Sequence, residues 1–241
     1  MLNQLRKLFN KRLNQVGFSL DRHRRFPSVT DKFKISLVLD VGANVGQFAM
    51  ELREKGYKGK ILSFEPQSIA HQKLIQASKK DNLWTVSERL ALGSKAANLE
   101  IYVAGNSVSS SFHEMQTAHE EAAPDSSVIG SELTRVITLD SIFSEVVRSD
   151  DKVLLKIDTQ GYEKEVLLGS ILSLPRIDVI QIELSLTPLY EPFESYEYFL
   201  NFLKEHDYDL WDLIPGFRNH LTGQLLQVDG IFVKNSRCQI S

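Results

Sequence analysis

Cysteine is nearly missing from this chain of 241 residues: one occurs, Cys238. A disulfide framework and a cysteine-ligated zinc site within one chain are thereby excluded. No apolar run approaches the roughly 18 residues that span a bilayer. The N-terminal residues lack a continuous apolar core and do not read as a secretory signal. A soluble, cytoplasmic protein is the expectation. A basic excess is lacking too, since 28 Lys and Arg stand against 31 Asp and Glu, a net charge of −3. A globally basic nucleic-acid binder is not indicated, and nucleic acid is not an expected partner.

What is present is enough apolar residue, 42% of the chain, to bury one sizeable core. The charge is unevenly placed. Residues 1–25 hold Arg6, Lys7, Lys11, Arg12, Arg22, Arg24 and Arg25 against Asp21 alone, a local +6 that leaves −9 elsewhere. Leu2, Leu5, Leu8, Phe9, Leu13 and Val16 recur there at three- and four-residue steps. That period predicts an amphipathic helix. It either packs on the domain with its basic face in water or lies on an anionic membrane. Residues 1–30 are read as this helical segment and 31–241 as the main domain.

From Leu37 onward apolar bursts alternate with helical stretches. Strands are expected at Leu37–Val41, Lys60–Phe64, Trp84–Ala91, Leu99–Val103, Val153–Ile157 and Asp178–Leu184. Helices are expected at Gly46–Lys55, Ser68–Lys79, Tyr162–Leu168 and Ser195–Glu205. Tyr208–Ile214 and Val228–Val233 follow one another without a helix and predict a hairpin, with an antiparallel strand at or near one sheet edge. Residues 105–133 have no clean period and read as an irregular binding loop or lid. Alternating strand and helix implies an α/β fold with a mostly parallel sheet covered on both faces. Ligands of such sheets sit at the carboxyl ends of the strands, so chemistry is expected after Leu39, Phe64, Ile157 and Ile182.

The first such loop reads Asp40-Val41-Gly42-Ala43-Asn44-Val45-Gly46. A dinucleotide loop would read G-x-G-x-x-G and set a pyrophosphate on the helix end. Here an aspartate precedes the glycines, which would repel phosphate and suit a cation or an amino group. S-adenosylmethionine, a nucleoside without phosphate that carries a sulfonium and an ammonium, meets that description. Glu65 ends the second strand 25 residues after Asp40, near the spacing at which an acid accepts from ribose hydroxyls.

These residues, with Phe64-Glu65-Pro66, Ala91-Leu92-Gly93, Thr138-Leu139-Asp140 and Leu155-Lys156-Ile157-Asp158-Thr159-Gln160-Gly161-Tyr162-Glu163, resemble the FkbM family of S-adenosylmethionine-dependent methyltransferases. The closing Gln227-Val228-Asp229-Gly230-Ile231-Phe232-Val233 resembles a subset of it. Gln160 stands where many members have Glu. The resemblance implies a Rossmann-like class I methyltransferase domain, its seven-stranded sheet ending in an antiparallel strand. It implies that Asp40, Gly42, Asn44 and Gly46 surround the methionine part of the donor, that Glu65 holds the ribose, and that Ala91 and Leu92 border the adenine. It also implies methylation of oxygen on a sugar or other polyhydroxylated acceptor, in glycan or natural-product assembly.

Methyl transfer to a hydroxyl needs alignment and a base. Asp158, at a strand's carboxyl end, is the candidate, with Lys156, a candidate substrate contact, on the same face two residues away. Asp158 reads equally as a helix cap or a partner of the donor's ammonium. Glu183, an acid inside Ile-Glu-Leu, is a second group expected to face the crevice, as substrate contact. Glu163 reads as a favourable charge at a helix start. Asp158 and Glu183 are also a thin basis for Mg²⁺, and no metal is assigned. His113, after three serines, is a candidate on the acceptor side. Tyr190, Trp211 and Arg218 could border a sugar, with core packing favoured for Trp211. Two other readings compete with the methyltransferase: an NAD-dependent oxidoreductase, which the missing G-x-G-x-x-G disfavours, and a non-catalytic cofactor-binding module held to a membrane or partner by residues 1–25.

Overall fold

The computed structural model of the chain describes residues 28–104, 114–115, 128–191, 193–219 and 221–238. The basic segment 1–25 and His113 lie outside the described residues. In chain order the elements begin with α1 (Val29–Lys32), β1 (Leu37–Val41), α2 (Gln47–Glu54), β2 (Lys60–Phe64), α3 (Ser68–Ser78) and β3 (Trp84–Val86). There follow β4 (Ala91–Leu92), β5 (Ala97–Ala104), β6 (Glu114–Met115), β7 (Val128–Ile137), α4 (Leu139–Val146), β8 (Val153–Ile157) and α5 (Glu163–Leu168). The remainder is β9 (Val179–Ser185), β10 (Tyr190–Glu191), α6 (Tyr196–Glu205), β11 (Tyr208–Pro215), β12 (Gln227–Lys234) and α7 (Asn235–Cys238).

Seven strands form the main sheet in the order β11-β12-β9-β8-β1-β2-β3. All neighbours from β9 through β3 are parallel, and β12 runs antiparallel to both β9 and β11. The sheet is thus the mostly parallel one expected, with the antiparallel last strand one place in from the edge. Its centre is apolar because β1 and β8 are buried at every position, as strands covered on both faces must be. Alternation along the strands splits the core in two. Leu39, Leu155, Ile180 and Phe232 enter one layer, while Val38, Leu154, Val179 and Ile231 enter the other.

Two expectations change. The stretch Trp84–Ala91 is two strands: β3 closes the main sheet, and β4 pairs with β7 in a separate three-stranded sheet, β4-β7-β5. Arg89 makes the turn between them, donating to the Pro66 and Leu133 carbonyls at 2.9 and 3.2 Å and to Glu132 at 3.3 Å. The expected fourth strand accordingly lies in this second sheet as β5, and residues 128–133, expected to be irregular, begin its central strand β7. β6 pairs with β10, which brings two stretches distant in sequence together.

Trp211 is the second surprise. A register shift between Leu210 and Asp212 leaves it outside the β11–β12 ladder, 37% exposed rather than in the core. It stands edge-on to Phe33 at 5.3 Å, with the Lys32 ammonium 5.1 Å from its ring. Among the described residues no helix is long and apolar enough to cross a membrane.

Behind the sheet, the buried Tyr208 hydroxyl sits 2.7 Å from the Leu174 carbonyl and 2.8 Å from that of Ile177, joining β11 to the turn before β9. Tyr208→Phe removes that donor without changing the packed volume. It is expected to lower unfolding free energy by about 1–2 kcal/mol, read by urea denaturation, with the cofactor affinity of the folded protein unchanged.

Candidate active site

The carboxyl ends of β1, β2 and β8, together with Asp229 of β12, surround a cleft of about 300 Å³. Its floor is set by one close approach. Gly42 has φ +78°, and a Cβ there would stand 1.8 Å from the Asp158 carbonyl oxygen. Only glycine lets the loops after β1 and β8 touch in this way. The Gly42 and Ala43 amides donate to the Phe64 carbonyl at 3.1 and 3.0 Å, and the Asp158 amide donates to Val41 at 3.1 Å. Three strand ends are thereby tied together around the cleft.

Asn44 follows in a left-handed conformation, φ 48°. Its amide donates to Glu65 Oε2 at 2.7 Å, while the Gln67 amide donates to Glu65 Oε1 at 2.8 Å. Burial pushes the Glu65 carboxyl up to about 7, against the pull of those two amides. Each oxygen keeps a further lone pair for a hydroxyl donor. Phe64, Ala91, Leu92 and Ile101 give the cleft an apolar wall.

Asp40 and Gly46 do not line the cleft; they stand behind it. Gly46, φ +97°, starts α2 against the Trp84 ring, which a Cβ would meet at 2.6 Å. Asp40 is wholly buried and accepts from Ser63 Oγ at 3.1 Å, and that hydroxyl accepts from Trp84 Nε1 at 3.0 Å. Burial raises the Asp40 carboxyl, with the Lys156 charge opposing.

Lys156 pairs with Asp40 in the β1–β8 register, and its Nζ donates to Asp158 Oδ2 at 2.7 Å. Burial disfavours its charge, yet the Asp158 and Asp40 carboxylates outweigh burial and raise its pKa. Its ammonium also lies 5.2 Å from the Phe48 ring. The other Asp158 oxygen accepts from Gln160 Nε2 at 2.7 Å. The same Gln160 amide donates to Glu183 Oε2 at 2.8 Å, and Gln227 donates there at 2.7 Å. Burial, then the Asp158 charge, pushes Glu183 well up. Glu183 does not line the cleft but lies behind Asp158, with the Gln160 side-chain amide between them. An amide donor thus bridges Asp158 and Glu183, and among the described residues no group of three His, Cys, Asp or Glu could hold a metal.

Some family-like residues prove to be braces. Thr138 Oγ1 caps α4 by accepting from the Ser141 amide at 3.1 Å. Asp140 accepts from the Leu172 and Ser173 amides at 3.1 and 2.8 Å. Glu163 does more than favour a helix start: it accepts from the Thr159 amide at 2.8 Å and the Gly161 amide at 3.0 Å, closing the loop after β8. Arg218 is tied to its own turn, donating to Gly223 at 3.2 Å. Sequence reasoning assigned no role to Asp229 or Gln160. The signal for Asp229 was there, a single acid within an apolar strand, as at Glu183.

A sheet of this order, with a nucleoside-sized cleft at its carboxyl edge, is that of an S-adenosylmethionine-dependent methyltransferase. The methyltransferase FkbM domain matches residues 40–210, and the chain belongs to that family. Among solved structures it is similar to the FkbM methyltransferase of Methylobacillus flagellatus KT, at 15% identity and TM-score 0.48 over 81% of this chain and 43% of that one. The chain thus spans less than half the length of that protein. It is also similar to a putative S-adenosylmethionine-dependent methyltransferase from Listeria monocytogenes, at 10% identity and TM-score 0.46, covering 84% of this chain and 91% of that one. A third is Aeropyrum pernix fibrillarin with natively bound S-adenosyl-L-methionine, at 10% and 0.42, covering 82% and 66%. No curated protein matches the chain. The family match favours neither the dinucleotide oxidoreductase nor the non-catalytic module.

S-adenosylmethionine is therefore the cofactor, and the residues present fit it. Asn44, which lines the cleft, has its Oδ1 buried without a hydrogen-bond partner, an arrangement that is costly until a donor arrives. Glu65 lines the cleft, and among the described residues Lys156 is the one lysine or arginine lining it, engaged with Asp158.

Two measurements follow from this geometry. Gly42→Ala drives a methyl group into the Asp158 carbonyl and is expected to weaken S-adenosylhomocysteine binding by more than about tenfold in calorimetry. For Glu65, the ionised form is the better acceptor for ribose hydroxyls, so affinity should rise with pH through about 7. Calorimetry between pH 6 and 8 should show tightening of at most about tenfold per unit, and Glu65→Gln should be weaker with a flatter profile.

Proposed function

We propose that the protein methylates a hydroxyl oxygen on a sugar or similar polyhydroxylated acceptor, with Asp158 taking the hydroxyl proton. The observation that carries this reading is the Asp158 carboxylate, which lines the cleft and is gripped on both oxygens, by Lys156 at 2.7 Å and by Gln160 at 2.7 Å. Such a group is held in one rotamer, as a positioned base requires.

When bound, S-adenosylmethionine supplies a methyl group on a positively charged sulfur with a good leaving group behind it. The chain's own work is then placement and proton handling. Asn44 and Glu65 would hold the methionine and ribose parts, and the Ala91–Leu92 wall would border the base. Asp40 and Gly46 act from behind, one as buried negative charge and one as the packing that sets the helix start. Asp158 orients the acceptor hydroxyl and receives its proton as the new oxygen–carbon bond forms. Lys156 offsets the charge Asp158 carries before that transfer, and Gln160 fixes its plane. Glu183 acts through Gln160 as a positioning residue.

The chemistry favours oxygen over a strongly basic nitrogen, because a carboxylate base is useful where the nucleophile must lose its proton in the step. Release of S-adenosylhomocysteine on a panel of glycan fragments and glycosides tests the reading. On an acceptor so found, Asp158→Asn is expected to lower kcat by about 10²- to 10⁴-fold with cofactor affinity kept. If affinity falls instead and turnover holds, Asp158 is a partner of the donor's ammonium and the assignment of the base is wrong.

A further inference from the structure

The end of the cleft beyond the Gly42 loop is short of positive charge. Asp158, Asp229 and Glu51 line it, and Lys156 is the one lysine or arginine among the described residues around it. That lysine is already engaged, donating to Asp158 and set in register with Asp40. Asp229 has one oxygen held by Gln181 Nε2 at 3.1 Å, and Glu183 lies beside it across the β9–β12 pair.

The stretches of sequence that supply β5, β6 and β10 add no cation. Between Lys95 and Arg135 the sequence holds no lysine or arginine, and none occurs between Arg176 and Lys204. These are the segments that form β5, β6 and β10, whose Ile101 reaches the cleft wall and whose β6–β10 pair joins them. Both are acidic, with Glu100 and Glu132 in one and Glu183 and Glu194 in the other. Nearby cations are committed elsewhere: Lys164 to Glu194, and Arg89 to Glu132 at 3.3 Å.

Phosphate recognition draws on arginine or lysine held free for the purpose. Binding along a nucleic-acid backbone needs several such contacts. Here, among the described residues, three acids, Asp158, Asp229 and Glu51, face the cleft against Lys156, and like charges across a binding site suppress the wrong partner. We propose that the acceptor site selects by charge, admitting neutral or cationic hydroxyl-bearing molecules and rejecting phosphorylated, nucleotide-linked and nucleic-acid acceptors, with Asp229 as a specificity-determining residue. This rests on the methyl-transfer reading above and names its substrate class.

The test offers the full chain and donor a panel of methyl glycosides, each beside its 6-phosphate and its nucleoside-diphosphate-linked counterpart. Transfer to the neutral member is expected to exceed transfer to either charged one by at least about tenfold, a difference of about 1.4 kcal/mol. Asp229→Asn, and separately Asp229→Lys, should narrow that ratio. Equal or faster wild-type transfer to the phosphorylated member overturns the proposal. Transfer to no member retires the sugar hydroxyl as acceptor, and the charge preference is then read without turnover. Sinefungin, which bears an ammonium in the place of the donor's methyl-sulfonium centre, should bind at least about tenfold more tightly than the neutral S-adenosylhomocysteine. Equal affinities in that measurement overturn the proposal.

Discussion

Lys156 is buried between Asp40 on the neighbouring strand and Asp158 two residues along its own, and the site depends on that row of charges. Taking a lone ammonium out of water costs several kcal/mol, and only good pairing offsets it. The parallel register of β1 and β8 supplies the first partner, and the strand's two-residue period supplies the second. A slip of one residue would turn Lys156 into the opposite apolar layer and expose that set. The register that builds the core therefore also builds the Lys156–Asp158 end of the cleft, and neither can be changed alone.

The same adjacency brings two backbones into contact. Gly42 meets the Asp158 carbonyl where any Cβ would collide. Each loop also carries a non-glycine residue at positive φ, Asn44 at 48° and Gln160 at 55°. Such conformations cost of order 1–3 kcal/mol and persist when the surroundings over-determine them. Here the determinants are visible: the Asn44 amide is claimed by Glu65, and the Gln160 amide by two carboxylates. Local strain is held by contacts that also fix the geometry of the cleft.

How much of this was legible depends on how local each feature is. The β1 loop, Glu65 and the β8 loop each lie within a few residues of a strongly apolar burst, so their place at strand ends could be read directly. The β11–β12 hairpin followed from the missing helix between two bursts. Trp84–Ala91 misled because an edge strand and a two-residue bridge strand are both short and leave no period to separate them. The entry of β7 into a second sheet rests on pairing with β5, a contact across more than twenty residues that no local pattern encodes. Trp211 was misplaced for a related reason, since a bulge shifts its facing and only the register reveals the bulge. His113 and the basic segment 1–25 lie outside the described residues.

Asp229 shows where sequence reading stops for the site itself. It reaches the cleft because β12 runs antiparallel between β9 and β11, so that the first residues of the last strand lie at the carboxyl ends of the others. Its significance comes from neighbours in space, Glu183 across the ladder and Gln181 through its side chain, and not from any spacing along the chain. The donor half of the cleft is built from consecutive strand, loop and helix, which a sequence displays as a motif. The side lined by Asp158 and Asp229 is assembled from β8 and β12, and its charge balance appears only once the strands are side by side. Motifs therefore carry over the donor between proteins of this fold, while the acceptor must be argued from each molecule's own surface.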